Sequence, residues 1–281
     1  MQESTPSRTA ERVAVHRARH QLLDDPKIFV DPFALPILGE ETAERLRREG
    51  PRGDDASSRA MRAQMVARSR HAEEALAHAA QRGVLQYLVL GAGLDTFAYR
   101  NPYPALRVFE VDHPATQAWK RERLRASGVT VPASTQFTPI DFDRESLTEA
   151  LAGAGFEATQ AAFVSWLGVT PYLEPSATYS TLRALAKLAP GSGVTFDYIL
   201  DRDLLPAGER VRFEGLDARV SAAGEPFRGL FRPHELRADL FAMSFATVED
   251  LDREALNERY LHSRADGLRV LGSSHLLTAW K

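Results

Sequence analysis

The spacing of apolar and polar positions divides the chain into two parts. Up to about residue 80, apolar residues recur at helical spacing, most clearly in residues 58–80, where Met61, Met65 and Leu76 fall on one stripe. Beyond residue 80, short apolar runs of strand length take over. Five of these runs are predicted strands, at residues 85–90, 106–112, 135–141, 160–167 and 192–200. The pattern therefore predicts a helical N-terminal segment followed by a core that contains a sheet.

Helical patterns separate most of these strands, at residues 114–126, 144–152 and 176–188. Strands that alternate with helices are typical of a parallel sheet with helices on both faces. A charged, glycine-containing segment at about 201–232 follows, which we interpret as an insertion or lid. A helix at 232–245 comes next, then the strand "ATVEDLD", the helix "REALNERYL" and a last strand, "SSHLLTAWK". We expect an α/β fold with a helical cap at 1–80 and a core at 81–281 that includes the lid.

Composition narrows the class of protein. The chain has 281 residues, 44% apolar and 26% charged, as in an ordinary globular protein. A net charge of −3 gives no reason to expect nucleic acid or an anionic membrane as a partner. We find no signal-peptide pattern and no apolar run near the roughly 18 residues of a membrane span, so we expect a cytoplasmic protein. Because the chain has no cysteine, thiol nucleophiles and cysteine-ligated zinc are excluded, and we expect no metal site.

Candidate chemistry is concentrated where the predicted strands end, because ligands of open parallel sheets bind beyond the carboxyl ends of the strands. The first strand runs into Gly91 and Gly93, a pattern typical of a tight turn beside a nucleotide, although such glycines can also form a plain turn. The second strand ends at Asp112, about 20 residues later, and the third ends at Asp141. A glycine turn and an acid at this separation form the pair that holds a ribose. The alternatives are that Asp112 only starts the next helix and that Asp141 is a turn residue.

The residues after the second glycine argue against a dinucleotide. A dinucleotide site has a third glycine and an open helix N-terminus for the pyrophosphate, but here Thr96 occupies that position, next to Asp95. The Asp95 carboxylate would repel a pyrophosphate at short range. A nucleoside without phosphate, such as S-adenosylmethionine, would tolerate both residues. The turn therefore favours a methyl donor over a nicotinamide cofactor.

Several segments resemble one known family. The motifs "LGAGLDTFAYR", "FEVDHP", "PIDF" and "WLGVTPYL", with the N-terminal "DDPKIFVDPFALPILG" and "MVARSRHAEEAL", resemble the leucine carboxyl methyltransferase family, chiefly its bacterial O-methyltransferase members. The resemblance extends from about residue 8 to the C-terminus. It implies a Rossmann-like, seven-stranded methyltransferase sheet whose last strand, here "HLLTAWK", is antiparallel, and S-adenosyl-L-methionine as the cofactor.

The resemblance also implies roles for individual residues. Arg68 would bind the methionine carboxylate of the cofactor, and Gly91, in the turn with Gly93, would touch the cofactor. Asp112 would bind the ribose. The adenine would lie between the neighbouring residues Asp141 and Phe142.

One position departs from the family pattern. Leu167 stands where many members have a glutamate, so a contact with the cofactor at this position would lose its polar character. We predict an O-methyltransferase that acts on a carboxylate or phenolic oxygen of a small molecule, with secondary metabolism as one setting. No strand end offers a clear general base, which favours a carboxylate because it is already ionised at neutral pH. A nicotinamide-dependent reductase and a non-catalytic nucleoside-binding relative are the alternatives.

The N-terminal segment and the predicted lid are candidates for the acceptor pocket, because nothing in residues 85–200 obviously encloses a second substrate. Arg12, Arg17 and Arg19 of the first helix are expected on a solvated face. The alternative is that one of them faces the acceptor pocket and pairs with a carboxylate.

Overall fold

The computed structural model describes residues 8–141, 145–222, 224 and 226–281. Its helices are α1 (Arg8–Leu23), α2 (Glu40–Glu49), α3 (Ala56–Gln81), α4 (Pro114–Ala126), α5 (Leu147–Gly153), α6 (Pro175–Leu185), α7 (Ala207–Ala222), α8 (Pro233–Ala242) and α9 (Arg253–Tyr260). Its strands are β1 (Gln86–Leu90), β2 (Arg107–Asp112), β3 (Thr135–Pro139), β4 (Ala162–Trp166), β5 (Gly193–Leu200), β6 (Leu230–Phe231), β7 (Thr247–Leu251) and β8 (Ser274–Trp280). The elements whose bounds are predicted above all begin and end within about three residues of their predicted positions.

The strands form one sheet, in the order β3-β2-β1-β4-β5-β8-β7, with β6 paired to β5 outside this path. Strands β1 to β6 pair in parallel, whereas β8 runs antiparallel to both β5 and β7. The predicted fold class is therefore confirmed, including the antiparallel last strand. The sheet has one strand more than predicted, because the two residues of β6 extend the sheet beside the end of β5.

Both faces of the sheet are covered, which explains why β1 reads as a continuous apolar run. Its alternate side chains enter different clusters of buried residues. Leu88 and Leu90 pack with residues of α5, α6 and α8, whereas Tyr87 and Val89 pack with residues of α1, α2, α3 and α4. The N-terminal helices thus form one layer over the sheet. None of the described helices is both long enough and apolar enough to cross a bilayer.

The segment after the glycine turn differs from a dinucleotide-binding fold. Where a dinucleotide-binding fold begins a helix after the glycines, the segment "LDTFAYR" makes only a single helical turn, at Phe97–Tyr99. Pro102 and Pro104 follow closely, and proline both lacks an N–H donor and restricts the residue before it. No helix N-terminus therefore points at the glycine turn from this segment.

The segment interpreted as a lid contains a helix, α7, that the sequence analysis does not predict. Phe213 of α7 packs with Ile199 and Leu205 near the end of β5. Phe227 stacks on Phe213, with ring centroids 5.7 Å apart. In the sequence, charged residues surround these phenylalanines, so the apolar face of α7 does not give a clear helical pattern.

Candidate functional site

A cavity of about 700 Å³ lies at the carboxyl ends of the parallel strands. The ends of β1, β2 and β4 contribute to its walls, together with residues of α1 and α3. Six of the seven predicted site residues line it: Arg68, Gly91, Gly93, Asp112, Asp141 and Leu167. The seventh, Phe142, lies outside the described residues. This volume is within the range of small-molecule and cofactor sites.

The glycine turn brings bare backbone to the cavity wall. Gly91 and Gly93 have φ angles of +66° and +45°, in the left-handed region that favours glycine. A Cβ atom on Gly91 would lie 2.3 Å from Cγ2 of Val169, so a side chain there would displace Val169. The turn thus has the close-approach geometry that its sequence predicts.

Asp112 lies at the end of β2, with its carboxylate against the glycine turn. Its Oδ2 accepts a hydrogen bond from the Gly93 N–H at 2.5 Å, and its Oδ1 accepts one from the His113 N–H at 2.7 Å. Burial raises the pKa of Asp112, although both hydrogen bonds favour the ionised form. A carboxylate has about four acceptor positions, so Asp112 keeps capacity for two hydroxyl donors. The helix cap of α4 is His113, whose Nδ1 accepts from the Ala115 N–H at 3.2 Å.

Arg68 reaches the cavity from α3 and is held by a residue that the sequence analysis missed. Its Nη1 donates to Oδ2 of Asp197 in β5 at 2.6 Å, and both side chains are buried. The other oxygen of Asp197 accepts the Gly168 N–H at 2.6 Å. Asp197 therefore fixes both the arginine and the turn after β4. A carboxylate inside the apolar run "GVTFDYIL" was the available signal, because a buried charge needs a partner.

Thr96, which stands where a dinucleotide site has its third glycine, has a structural role of its own. Its buried Oγ1 accepts a hydrogen bond from Nη2 of Arg17 at 2.7 Å and donates one to Oδ2 of Asp31 at 2.8 Å. Nη2 of Arg17 also donates to Asp31 at 2.5 Å. The threonine hydroxyl thus ties the glycine turn to α1, a connection that glycine would lack.

The expectation of a solvated arginine face is wrong for Arg17, which is only 3% exposed and lines the cavity. Arg12 is exposed, and Arg19 is half-buried and donates to the backbone carbonyl of Arg52 at 2.8 Å. The partners of Arg17 come from other segments of the chain, so helical spacing gives no sign of them. Arg17 faces the cavity but is already paired with the protein's own Asp31.

The outer wall of the cavity comes from the N-terminal helix and the segment after α7. Its residues are Thr9, Ala10 and Val13 of α1, and Gly224, Pro226 and Arg228. Tyr172 also lines the cavity, and its ring centroid lies 5.6 Å from that of Phe227. Nη1 of Arg228 is 3.5 Å from Oε1 of Glu174, and both side chains are exposed. This wall therefore combines apolar surface with a loosely paired arginine.

The groups in the cavity fit a nucleoside with an amino-acid end. A carboxylate beside a glycine turn suits a ribose, and a buried arginine suits a carboxylate ligand. The described residues place no helix N-terminus after the turn that could hold a pyrophosphate. They also contain no group of three or more side chains placed to hold a metal ion.

The sheet order and this cavity are those expected of an S-adenosylmethionine-dependent methyltransferase. A family model described as leucine carboxyl methyltransferase matches residues 10–186, and the chain belongs to this family. The protein is therefore an S-adenosylmethionine-dependent methyltransferase, with S-adenosylmethionine as its cofactor. The alternative of a nicotinamide-dependent reductase is not supported.

Comparisons with individual proteins agree with this assignment. A Bacillus subtilis protein, YktD, is 31% identical over an alignment that spans 100% of each chain. A Mycobacterium bovis protein is 32% identical over 255 residues, which span 85% of this chain and 77% of the relative. A crystal structure from Thermobifida fusca covers 95% of this chain and 94% of its own, with a TM-score of 0.53 and 17% identity, and supports the fold. All three are named as "putative" methyltransferases, the first two as S-adenosyl-L-methionine-dependent.

Proposed function

We propose that the protein transfers a methyl group to an oxygen atom of a small molecule, with a carboxylate favoured over a phenol. The supporting observation is the cavity wall, where neither the described histidine nor the described glutamate is placed to act as a general base. The histidine there, His113, uses Nδ1 to cap α4, and Glu174 is exposed beside Arg228. A carboxylate acceptor is ionised at neutral pH and needs no base, whereas a phenol gains from one.

The same cavity is proposed to hold the cofactor. Asp112 accepts hydrogen bonds from the ribose hydroxyls, and Arg68 binds the amino-acid carboxylate while Asp197 orients it. Asp141 borders the adenine, and Leu167 adds an apolar contact. When bound, S-adenosylmethionine supplies a methyl group on a sulfonium, which is a good leaving group. The protein's part is to align the two reactants and exclude water.

The cap and lid are proposed to enclose the acceptor. Residues of α1 lie on the same cavity wall as Gly224, Pro226 and Arg228, which supports this assignment. Arg228 is the arginine on this wall with the weakest pairing, because its contact with Glu174 is 3.5 Å long and exposed. We assign to Arg228 the recognition of an anionic acceptor.

An acceptor screen tests the proposed reaction. The protein is incubated with isotopically labelled S-adenosylmethionine and a panel of small carboxylic acids, phenols and amines. We expect a labelled product from which mild alkali releases labelled methanol, because methyl esters hydrolyse under these conditions and aryl methyl ethers do not. Exclusive labelling of amines would contradict O-methylation, and alkali-stable labelling of phenols would move the proposal from esters to ethers.

Replacing Asp112 by asparagine is expected to weaken binding of S-adenosylhomocysteine about tenfold, because hydrogen bonds to a charged group are the stronger ones. Only the ionised carboxylate accepts through both oxygens. Since burial raises the pKa of Asp112, binding to the parent protein should weaken as the pH falls, starting at a higher pH than for an ordinary aspartate. Calorimetry across pH should show this loss in the parent and not in Asp112→Asn. Equal affinities and equal pH profiles would remove Asp112 from the ribose site.

A further inference from the structure

A cluster of five charged residues lies behind the glycine turn: Arg17, Asp31, Glu73, Asp95 and Arg100. Each arginine has a closest carboxylate partner, and Arg100 also lies 3.5 Å from Asp31. Arg17 pairs with Asp31 at 2.5 Å, and Nη1 of Arg100 donates to Oε2 of Glu73 at 2.7 Å. The fifth member, Asp95, comes no closer to Arg17 than 3.8 Å and accepts its hydrogen bond from the Phe97 backbone N–H. With two cations and three carboxylates, the cluster carries one surplus negative charge.

The surplus charge is located at the cavity. Asp95 lines the cavity, and its side chain is 26% exposed. The side chain of Asp31 is fully buried, and neither Asp31 nor Glu73 lines the cavity. Asp95 is therefore the member of the cluster whose charge a ligand would meet.

The arginines on the cavity wall compensate this charge only in part, because Arg17 lies 3.8 Å from Asp95 and is bonded more closely to Asp31, at 2.5 Å. Among the described lining residues, Arg17, Arg68 and Arg228 each have a carboxylate of the protein within 3.5 Å. The field of Asp95 also extends into the apolar interior, where burial first and then the Asp95 charge raise the pKa of Tyr87. A charge beside low-dielectric walls acts over a longer range than one in water.

We propose that Asp95 determines the charge specificity of the cofactor site, favouring the sulfonium-bearing methyl donor over its demethylated product. S-Adenosylmethionine and S-adenosylhomocysteine differ by one methyl group and one positive charge, so a negative wall stabilises the donor selectively. The product loses this attraction when the methyl group leaves, which favours its exchange for new donor. This role rests on the proposed placement of the cofactor in the cavity.

The test is calorimetric titration of both nucleosides into the parent and Asp95→Asn proteins, without acceptor. Asparagine keeps a side-chain oxygen for the Phe97 N–H and removes only the charge. At an effective dielectric of about 20, two unit charges roughly 12 Å apart change a Kd about tenfold. We therefore expect Asp95→Asn to weaken S-adenosylmethionine binding about tenfold and to change S-adenosylhomocysteine binding less than about twofold. Added salt should lower the donor's affinity more than the product's in the parent, and this difference should shrink in the variant.

Two controls separate this role from others. Glu174→Gln removes an exposed carboxylate of the cavity wall that is already paired with Arg228, so the ratio of the two affinities should stay at the parent value. Asp112→Asn should weaken the binding of both nucleosides. If it weakens the binding of neither, the proposed placement of the cofactor fails. The charge-specificity proposal alone is overturned if Asp112→Asn behaves as expected while Asp95→Asn weakens the binding of both nucleosides by the same factor or leaves both affinities unchanged.

Discussion

Replacing Arg68 by alanine is expected to weaken binding of S-adenosylhomocysteine roughly 10- to 150-fold and to lower the free energy of unfolding by about 3–5 kcal/mol. The first effect is the loss of a charged hydrogen-bond partner for the ligand carboxylate, worth about 1.5–3 kcal/mol. The second arises because Asp197 would remain as a buried carboxylate without its cation, and breaking a buried pair from one side is strongly destabilising. Calorimetry measures the binding, and urea unfolding measures the stability.

A double variant separates the two effects. Arg68→Ala combined with Asp197→Asn removes the unpaired carboxylate but keeps an acceptor for the Gly168 N–H. It should regain part of the lost stability and none of the lost affinity. If the double variant binds S-adenosylhomocysteine as the parent does, Arg68 supports the fold and has no contact with the cofactor.

Replacing Arg17 by alanine should destabilise the protein by a similar amount, about 3–5 kcal/mol. Its guanidinium is buried and donates to both Asp31 and Thr96, so the substitution leaves a buried carboxylate without its closest cation. The connection between α1 and the glycine turn is lost in the same step. We expect the midpoint of urea unfolding to fall.

The matched control for this prediction is Arg12→Ala, one turn and a half earlier on α1. Arg12 is exposed, so its replacement should change stability by no more than about 0.5 kcal/mol. Similar losses in Arg12→Ala and Arg17→Ala would mean that helix propensity and surface charge, rather than the buried pair, hold α1 in place.

The alternating core could be predicted because its signals are local. A buried parallel strand is a short apolar run and a surface helix has a 3.6-residue period, so both can be read within about ten residues of sequence. α7 was missed because charges interrupt its apolar face, and only the packing of Phe213 beside Leu205 shows which side is buried. The short turn at Phe97–Tyr99 carries no clear local signal, because the prolines that follow it come a few residues later.

The candidate site divides in the same way. Gly91, Gly93 and Asp112 carry local signals, since each follows an apolar strand at a separation that suits a nucleoside. The burial of Arg17 depends on Asp31 and Thr96, which are 14 and 79 residues away in the chain. Pairings between residues far apart in the chain do not change the periodicity of the sequence, so helical spacing alone predicts a solvated arginine.

The central claim is that the cavity at the carboxyl ends of the strands holds the methyl donor in a defined orientation. The most direct measurement is a crystal structure of the protein with S-adenosylhomocysteine. The account predicts ribose hydroxyls within hydrogen-bond distance of the Asp112 carboxylate, the amino-acid carboxylate against Arg68, and the adenine beside Asp141. Electron density for the nucleoside outside this cavity, or inside it with the ribose away from Asp112, would contradict the account.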